Sequence, residues 1–204
     1  HAKANPFSMY KAIERASKES GRNVVLLECG WFYNSHIEEC FAEASSALCP
    51  SVRILKVDGL NSQRLKAAWY SADIFCSFAD NIQETFGITP VEAMAAGLPV
   101  VVSDWNGYKD TVRHGIDGFR VSTLLPSSLP RQEMHRAHAV GQIDYDTYLG
   151  LTSIQISVDH KEAYEAFLRL IESESLRRTM GANGLRRVAD TYDWKVIIPQ
   201  YESL

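Results

Sequence analysis

The chain has 204 residues, enough for one large domain with a substantial core, and its 46% hydrophobic and 23% charged residues are typical of a globular protein. A net charge of −4 argues against nucleic acid as the main partner, because binding to phosphate backbones needs clustered lysine and arginine. No run of about 18 apolar residues is present, so the sequence predicts no transmembrane segment.

Helical and strand patterns alternate along the first 120 or so residues. Helices are predicted at 6–20, 35–48, 62–71 and 107–114, and apolar strands at 24–29, 52–57, 73–77, 100–104 and 119–122. Strands that alternate with helices indicate βαβ units, so the predicted fold is α/β, a Rossmann-like parallel sheet with helices on both faces. The first strand, 24–29, is a continuous apolar run and is expected to be covered on both faces.

The second part of the chain breaks this rhythm. Residues 123–151 contain two prolines and a polar stretch, and they predict a surface insertion that is partly helical at 131–140. Helices follow at 158–172 and within 176–192, and Asp193 is placed as the cap of a terminal helix that starts at Trp194. The segment 158–204 is therefore predicted to be helical, and residues 1–204 to form one domain.

In a parallel sheet, ligands bind where loops leave the carboxyl ends of the strands. Four predicted loops would share that edge: 30–34, 58–61, 78–89 and 104–109. The four cysteines have no close pair spacing, which favours buried free thiols in a reducing, cytoplasmic compartment. The chain opens at His1 with neither methionine nor a signal peptide, which indicates a fragment.

The stretch ETFGITPVEAMAAGLP, residues 84–99, predicts a short helix between two buried strands. Thr89 is placed as the N-cap, with Pro90 at the first helical position and Glu92 completing a capping box. Gly97 is expected to end the helix in a left-handed conformation. The free N–H groups at such a helix start suit a phosphate, and the flanking carboxylates of Glu84 and Glu92 can accept bonds from hydroxyls. A nucleotide sugar meets both demands.

Two glutamates with seven residues between them, Phe-Gly after the first and EAMAAGLPVV after the second resemble the retaining glycosyltransferases of family 4. The resemblance implies the GT-B fold, which has two Rossmann-like domains, and places this chain in the C-terminal, donor-binding one. It also implies a nucleotide-diphosphate sugar as donor, UDP- or GDP-linked, and an acceptor-binding N-terminal domain that this sequence lacks. That missing domain could place an otherwise cytoplasmic protein at the inner membrane face.

The resemblance also implies roles for individual residues. Glu92 would accept hydrogen bonds from the ribose hydroxyls, and Glu84 would lie near the donor sugar as the catalytic carboxylate. The remaining donor-binding candidates are Phe86, Gly87, Ile88 and Thr89 around the diphosphate, and Asp58 and Gly59 beside the base. Purely structural interpretations stay open: Glu92 completing a capping box, Gly87 serving the turn, and Glu84 as a solvated loop carboxylate.

Family members neutralise the diphosphate with an arginine and a lysine that follow the first strand of this domain. Lys3 lies where that lysine is expected, while the arginine and the first strand would precede His1. A frayed terminal lysine is the alternative. If Lys3 binds the diphosphate, cations replace a metal ion, so neither a metal nor another cofactor is expected.

Other side chains allow two interpretations each. Polar residues of the 78–89 loop are candidate sugar partners or plain loop tips: Asp80, Asn81 and Gln83. Aromatic residues near the carboxyl edge are candidates for stacking on a base or for packing: Trp31, Trp105 and Tyr108. His135 and His138 have the spacing of metal ligands but lack a fitting third ligand, so a solvated surface is favoured.

The sequence thus predicts the donor-binding part of a retaining, metal-independent glycosyltransferase that is inactive without its other domain. The alternatives are another GT-B enzyme, such as a nucleotide-sugar epimerase or a phosphorylase, and a non-catalytic nucleotide-binding module. Transfer to an acceptor separates the first prediction from both alternatives.

Overall fold

The computed structural model describes residues 6–125 and 129–203, without the side chains of residues 129–131. The strands are β1 (Val25–Gly30), β2 (Arg53–Asp58), β3 (Phe75–Ser77), β4 (Val100–Ser103), β5 (Gly118–Val121), β6 (Thr123–Leu124) and β7 (Ser157–Val158). The helices are α1 (Phe7–Ser20), α2 (Ser35–Leu48), α3 (Ser62–Ser71), α4 (Ile88–Ala95), α5 (Tyr108–Thr111), α6 (Leu129–Ala139), α7 (Tyr145–Ser153), α8 (His160–Glu172), α9 (Glu174–Arg187) and α10 (Trp194–Glu202).

The strands form parallel ladders in two groups. β1 pairs with β2, and β4 pairs with β3 on one side and with β5 on the other, all in parallel. Helices connect successive strands, which is the βαβ arrangement that the alternating pattern predicts. The α/β fold with helices flanking parallel sheets is therefore confirmed.

β4 shows how the two faces of the sheet are filled. Its residues Val100, Val101 and Val102 are fully buried. Val101 belongs to the hydrophobic cluster formed with α1 and α8, whereas Val100 and Val102 belong to a second cluster formed with α4 and Trp69 of α3. Since successive side chains of a strand point to opposite faces, the two clusters lie on opposite faces of the sheet.

The expectation for the first strand is wrong. β1 is not covered on both faces: Leu26 is buried, but Val25 is 48% exposed and residues 27–30 are only partly buried or exposed. The thiols also differ from expectation. All four are free, but only Cys49 is buried, Cys76 is half-buried, and Cys29 and Cys40 are exposed.

Residues 123–125 and 129–151 contain more regular secondary structure than the sequence predicts. β6 pairs with β7 in antiparallel register and closes a helical hairpin made of α6 and α7. Helix α7 is absent from the prediction, although Asp144 caps it by accepting a hydrogen bond from the Thr147 amide at 2.7 Å. Tyr148 and Leu149 of α7 are buried, so this segment has its own small core.

The C-terminal part is helical, as predicted. Asp193 caps α10 by accepting from the Lys195 amide at 2.8 Å, which confirms its predicted role. A π-helical turn, Val188–Tyr192, joins α9 to α10. Among residues 6–125 and 129–203, the structure contains no helix with the length and apolar character needed to span a bilayer.

Candidate functional site

The loop between β3 and α4 is held in place by hydrogen bonds from β4 and from the loop that follows β4. The Asn81 carbonyl accepts from the Trp105 indole at 2.8 Å, and the Ala79 carbonyl accepts from the Ser103 hydroxyl at 2.5 Å. Asp80 and Asn81 are both buried. Trp105 and Asn81 therefore help to hold the loop in place, and the Trp105 side chain has a structural role here.

Helix α4 begins two residues earlier than predicted, at Ile88 instead of Pro90, and its start is different. Gly87 precedes the helix with φ 84° and ψ 71°, a left-handed conformation, and no side chain caps it. The predicted cap at Thr89 is therefore wrong: Thr89 is the second helical residue, and the capping box with Glu92 does not form. The first amides of α4 are left without a side-chain cap, which is the feature that favours an anion. At the other end, Gly97 has φ 78°, as predicted.

Tyr108 packs against the start of α4 and fixes its geometry. Its ring lies so close to Gly87 that a Cβ there would be 2.4 Å from two ring carbons. Gly107 approaches the same loop, and a Cβ on it would be 2.4 Å from the Phe86 Cα. The left-handed backbone and the packed ring together restrict position 87 to glycine.

The Tyr108 hydroxyl joins three parts of the site. It is 2.9 Å from the Ser77 hydroxyl at the end of β3, and it also interacts with the side chains of Thr89 and Glu84. Burial raises the pKa of Tyr108, and the negative charge of Glu84 raises it further. The phenol therefore stays protonated near neutral pH and can donate a hydrogen bond.

The two glutamates have different surroundings. Glu84 is half-buried in the loop beside the Tyr108 hydroxyl, whereas Glu92 is exposed on the second turn of α4. Within the described residues, the Glu92 carboxylate has no hydrogen bond or ion pair with the protein. Its carboxylate is thus available to a ligand, and the structural role that the capping box offered is removed.

The other candidates lie at the carboxyl ends of the strands, with one exception. Phe86 and Ile88 are 47% and 65% exposed on either side of Gly87. Asp58 ends β2 and accepts from the Leu60 amide at 2.9 Å, and the Gly59 amide donates to the Gly30 carbonyl at 3.0 Å. The structure therefore brings the β1 and β2 loops together, and likewise the β3 and β4 loops. Lys3 lies outside the described residues.

The helical hairpin supplies a contact that the sequence did not predict. The Gln83 side-chain amide donates to the Tyr145 hydroxyl of α7 at 3.3 Å, next to Glu84. His138 stacks on Tyr148 with ring centroids 4.7 Å apart, and His135 lies 2.7 Å from the Tyr148 hydroxyl. Both histidines thus contact an aromatic cluster, but His135 is exposed, as predicted, and only His138 is half-buried. In the part of the chain that is described, no three histidine, cysteine, aspartate or glutamate residues are grouped so that they could hold a metal ion.

The comparisons with known proteins identify the family. The model for glycosyl transferases group 1 matches residues 1–129. The chain belongs to this family. A phosphatidyl-myo-inositol mannosyltransferase of Mycobacterium leprae is 30% identical over 168 residues, which cover 80% of this chain and 33% of that protein. The capsular polysaccharide biosynthesis glycosyltransferase CapM of Staphylococcus aureus is 28% identical over 122 residues, which cover 60% of this chain and 23% of CapM.

Solved structures agree on the fold. HepE of Anabaena, determined in complex with UDP and glucose, superposes with a TM-score of 0.63 at 16% identity over 98% of this chain and 45% of HepE. The pneumococcal O-GlcNAc transferase GtfA, in complex with UDP and GlcNAc, gives a TM-score of 0.55 at 17% identity over 96% of this chain and 31% of GtfA. The chain thus belongs to the glycosyl transferases group 1 and shares its fold with HepE and GtfA, and it spans a third or less of the length of the curated relatives named above.

Proposed function

We propose that this chain is the C-terminal, donor-binding part of a retaining, metal-independent glycosyltransferase of family 4, and that it binds a nucleotide-diphosphate sugar. The observation that carries the proposal is the uncapped start of α4 behind the left-handed Gly87, with Glu84 before it and Glu92 after it. HepE and GtfA were both determined in complex with UDP, which supports the same class of donor here.

The diphosphate is assigned to the first turn of α4. The backbone of Gly87, Ile88 and Thr89 offers N–H groups there, and the helix dipole adds a positive potential. Negative charge builds on the departing diphosphate as the sugar bond breaks, so donors fixed at this point lower the barrier. Tyr108 keeps the turn in place through Gly87 and Thr89.

The two carboxylates are assigned to different parts of the rest of the donor. Glu92 has no protein partner within the described residues and is assigned to the ribose hydroxyls. Glu84, which the Tyr108 hydroxyl orients, is assigned to the donor sugar and to the positive charge that develops at its anomeric carbon. Phe86 covers the sugar end, while Asp58 and Gly59 contact the base. Lys3 is proposed to neutralise the diphosphate in place of a metal ion.

The acceptor site belongs to an N-terminal domain of the same protein in this proposal. Transfer takes place between the two domains, so the isolated chain is expected to bind a nucleotide weakly and to transfer little sugar. Glycan synthesis on the cytoplasmic side, with or without peripheral attachment to the membrane, follows from the same assignment.

Calorimetric titration with UDP, GDP and ADP tests the proposal. Glu92→Ala should weaken all three nucleotides by about 1–3 kcal/mol, because the ribose loses its charged acceptor. Glu84→Ala should leave the diphosphates unchanged and weaken the intact nucleotide sugar. Glu165→Ala, which removes an exposed glutamate of α8, is the matched control and should change neither. Binding should be the same with EDTA as with Mg²⁺.

Two outcomes would contradict parts of the proposal. If Glu92→Ala and Glu165→Ala behave alike with every nucleotide, the ribose assignment fails. If binding is lost on adding EDTA, the metal-independent assignment fails while the site itself stands.

A further inference from the structure

The helical hairpin of α6 and α7 lies at the carboxyl edge of the sheet, beside the candidate site. β5 ends at Val121 and β6 begins two residues later, so the hairpin leaves the sheet at the edge that carries the site. The Thr123 hydroxyl of β6 donates to the Asp104 carbonyl, just after β4, at 2.9 Å. Beyond β7, the Asp159 amide donates to the Ser122 carbonyl at 2.9 Å. Both ends of the hairpin are thus tied to the carboxyl ends of β4 and β5.

Tyr145 is the residue of the hairpin that contacts the site, and an aromatic cluster holds it in place. Its ring centroid lies 5.8 Å from that of His138 and 6.5 Å from that of Tyr148. Tyr148 is itself buried, and its ring stacks on His138. Tyr145 is 48% exposed, so it packs on this cluster on one side and is open to solvent or a ligand on the other.

The structure separates the three polar loop residues that are candidate sugar partners by sequence. Asp80 and Asn81 are 5% and 2% exposed, whereas Gln83 is exposed and directly precedes Glu84. The Gln83 backbone amide donates to the Asn81 side-chain oxygen at 2.9 Å, so the buried asparagine sets the course of the loop. Of the three, Gln83 is therefore the side chain that a bound sugar can reach.

The Gln83 side chain is oriented by the hairpin but only partly used by it. Its Nε2 group donates to the Tyr145 hydroxyl at 3.3 Å. Counting only the described part of the chain, this is the one hydrogen bond of the Gln83 side chain. A glutamine amide carries two N–H donors and one acceptor oxygen, so one donor and the acceptor stay available beside Glu84.

The chemistry of this arrangement suits a sugar hydroxyl better than a phosphate. A hydroxyl both donates and accepts a hydrogen bond, which matches the donor and the acceptor that the Gln83 amide has left. The neighbouring Glu84 carboxylate also accepts from hydroxyls, whereas its charge repels a phosphate. Because the bond between Gln83 and Tyr145 joins two exposed side chains, it contributes little to the stability of the fold. Its main consequence is to fix the position of the Gln83 amide.

We propose that Gln83 binds a hydroxyl of the donor sugar, and that Tyr145 of the helical hairpin positions the Gln83 amide for this contact. Gln83 is then a binding residue and Tyr145 a positioning residue, and the hairpin borders the sugar subsite. The inference rests on the proposed function, because the assignment of Glu84 places the sugar here.

Calorimetric titration of the chain with UDP-glucose and GDP-mannose, and with UDP and GDP alone, tests this. Gln83→Ala should weaken the binding of a nucleotide sugar about 10-fold, and Tyr145→Phe, which keeps the ring, about 3-fold. Neither should change the binding of UDP or GDP, whereas a general disturbance of the loop would also reach the start of α4 and weaken them. The double variant should bind no more weakly than Gln83→Ala, because Tyr145 acts through Gln83. Tyr70→Phe, at a 76% exposed tyrosine of α3, is the matched control.

The outcomes distinguish this inference from the proposed function. If Glu84→Ala weakens the nucleotide sugars while Gln83→Ala and Tyr145→Phe behave like Tyr70→Phe, the proposed function stands and this inference is overturned. If Gln83→Ala weakens UDP and GDP as much as the nucleotide sugars, the contact is not with the sugar. If the two single effects multiply in the double variant, Tyr145 does not act by positioning Gln83. If Glu84→Ala itself changes neither nucleotide sugar, the sugar assignment and this inference fail together.

Discussion

The two halves of the parallel sheet are packed to different degrees. The β3–β4–β5 half is the more deeply buried, with all of β4 buried, whereas Val25 of β1 and Leu55 of β2 are 48% and 38% exposed. Glu84, Gly87 and Tyr108 all belong to the loops of the β3–β4–β5 half. Of the candidate residues in the described part of the chain, the β1–β2 half contributes Asp58 and Gly59. The most constrained part of the candidate site therefore rests on the more deeply buried half of the sheet.

Removing an ion pair from each half should give the largest difference in the free energy of unfolding between the halves. Asp117, fully buried before β5, accepts from Arg113 Nη2 at 2.6 Å and Nε at 2.9 Å, with Arg187 3.9 Å away. Asp117→Ala leaves these guanidinium groups without their carboxylate and should lower the free energy of unfolding by about 4 kcal/mol. The exposed pair Lys56–Glu38 joins β2 to α2 at 2.8 Å, and Glu38→Ala should cost less than about 1 kcal/mol. Urea unfolding followed by circular dichroism measures both, and equal losses would contradict the distinction.

Glycines in the strands give a second matched pair. A Cβ on Gly118 of β5 would lie 2.0 Å from the Val100 carbonyl oxygen, while a Cβ on Gly30 of β1 would meet nothing within 4 Å. Gly118→Ala must push β4 and β5 apart and should lower the free energy of unfolding by about 3 kcal/mol. Gly30→Ala should change it by less than about 1 kcal/mol. If Gly118→Ala leaves the thermal midpoint unchanged, then β4 and β5 are packed less tightly than this contact indicates.

Local signals in the sequence predicted most elements well. The bounds of α2 and α3 agree with the prediction at both ends, because their apolar periodicity and their caps, Asn34 and Asn61, are encoded within a few residues. The cap at Asp193 was predicted correctly for the same reason. Helix α7 was missed although Asp144 offered the same kind of signal, since the preceding polar stretch concealed its short apolar face.

The candidate site depends more on contacts between distant segments. The motif located Glu84, Gly87 and Glu92, but the predicted cap at Thr89 failed because the ring of Tyr108, about 20 residues later, sets the start of α4. The link from Tyr108 to Ser77 spans 31 positions, and that from Gln83 to Tyr145 spans 62. No pattern within one segment predicts such pairs. The exposure of β1 was missed for a related reason, since an apolar run does not reveal which neighbours cover it.

Valine truncation gives the smallest effect. Val101→Ala removes two buried methyl groups from β4 and should lower the free energy of unfolding by about 2 kcal/mol. Val25→Ala should cost less than about 1 kcal/mol, because the Val25 side chain is already 48% exposed. Urea unfolding of the two variants and the parent chain, followed by circular dichroism, measures both losses. Equal losses would mean that Val25 is packed as tightly in solution as Val101, and that the two halves of the sheet do not differ in this respect.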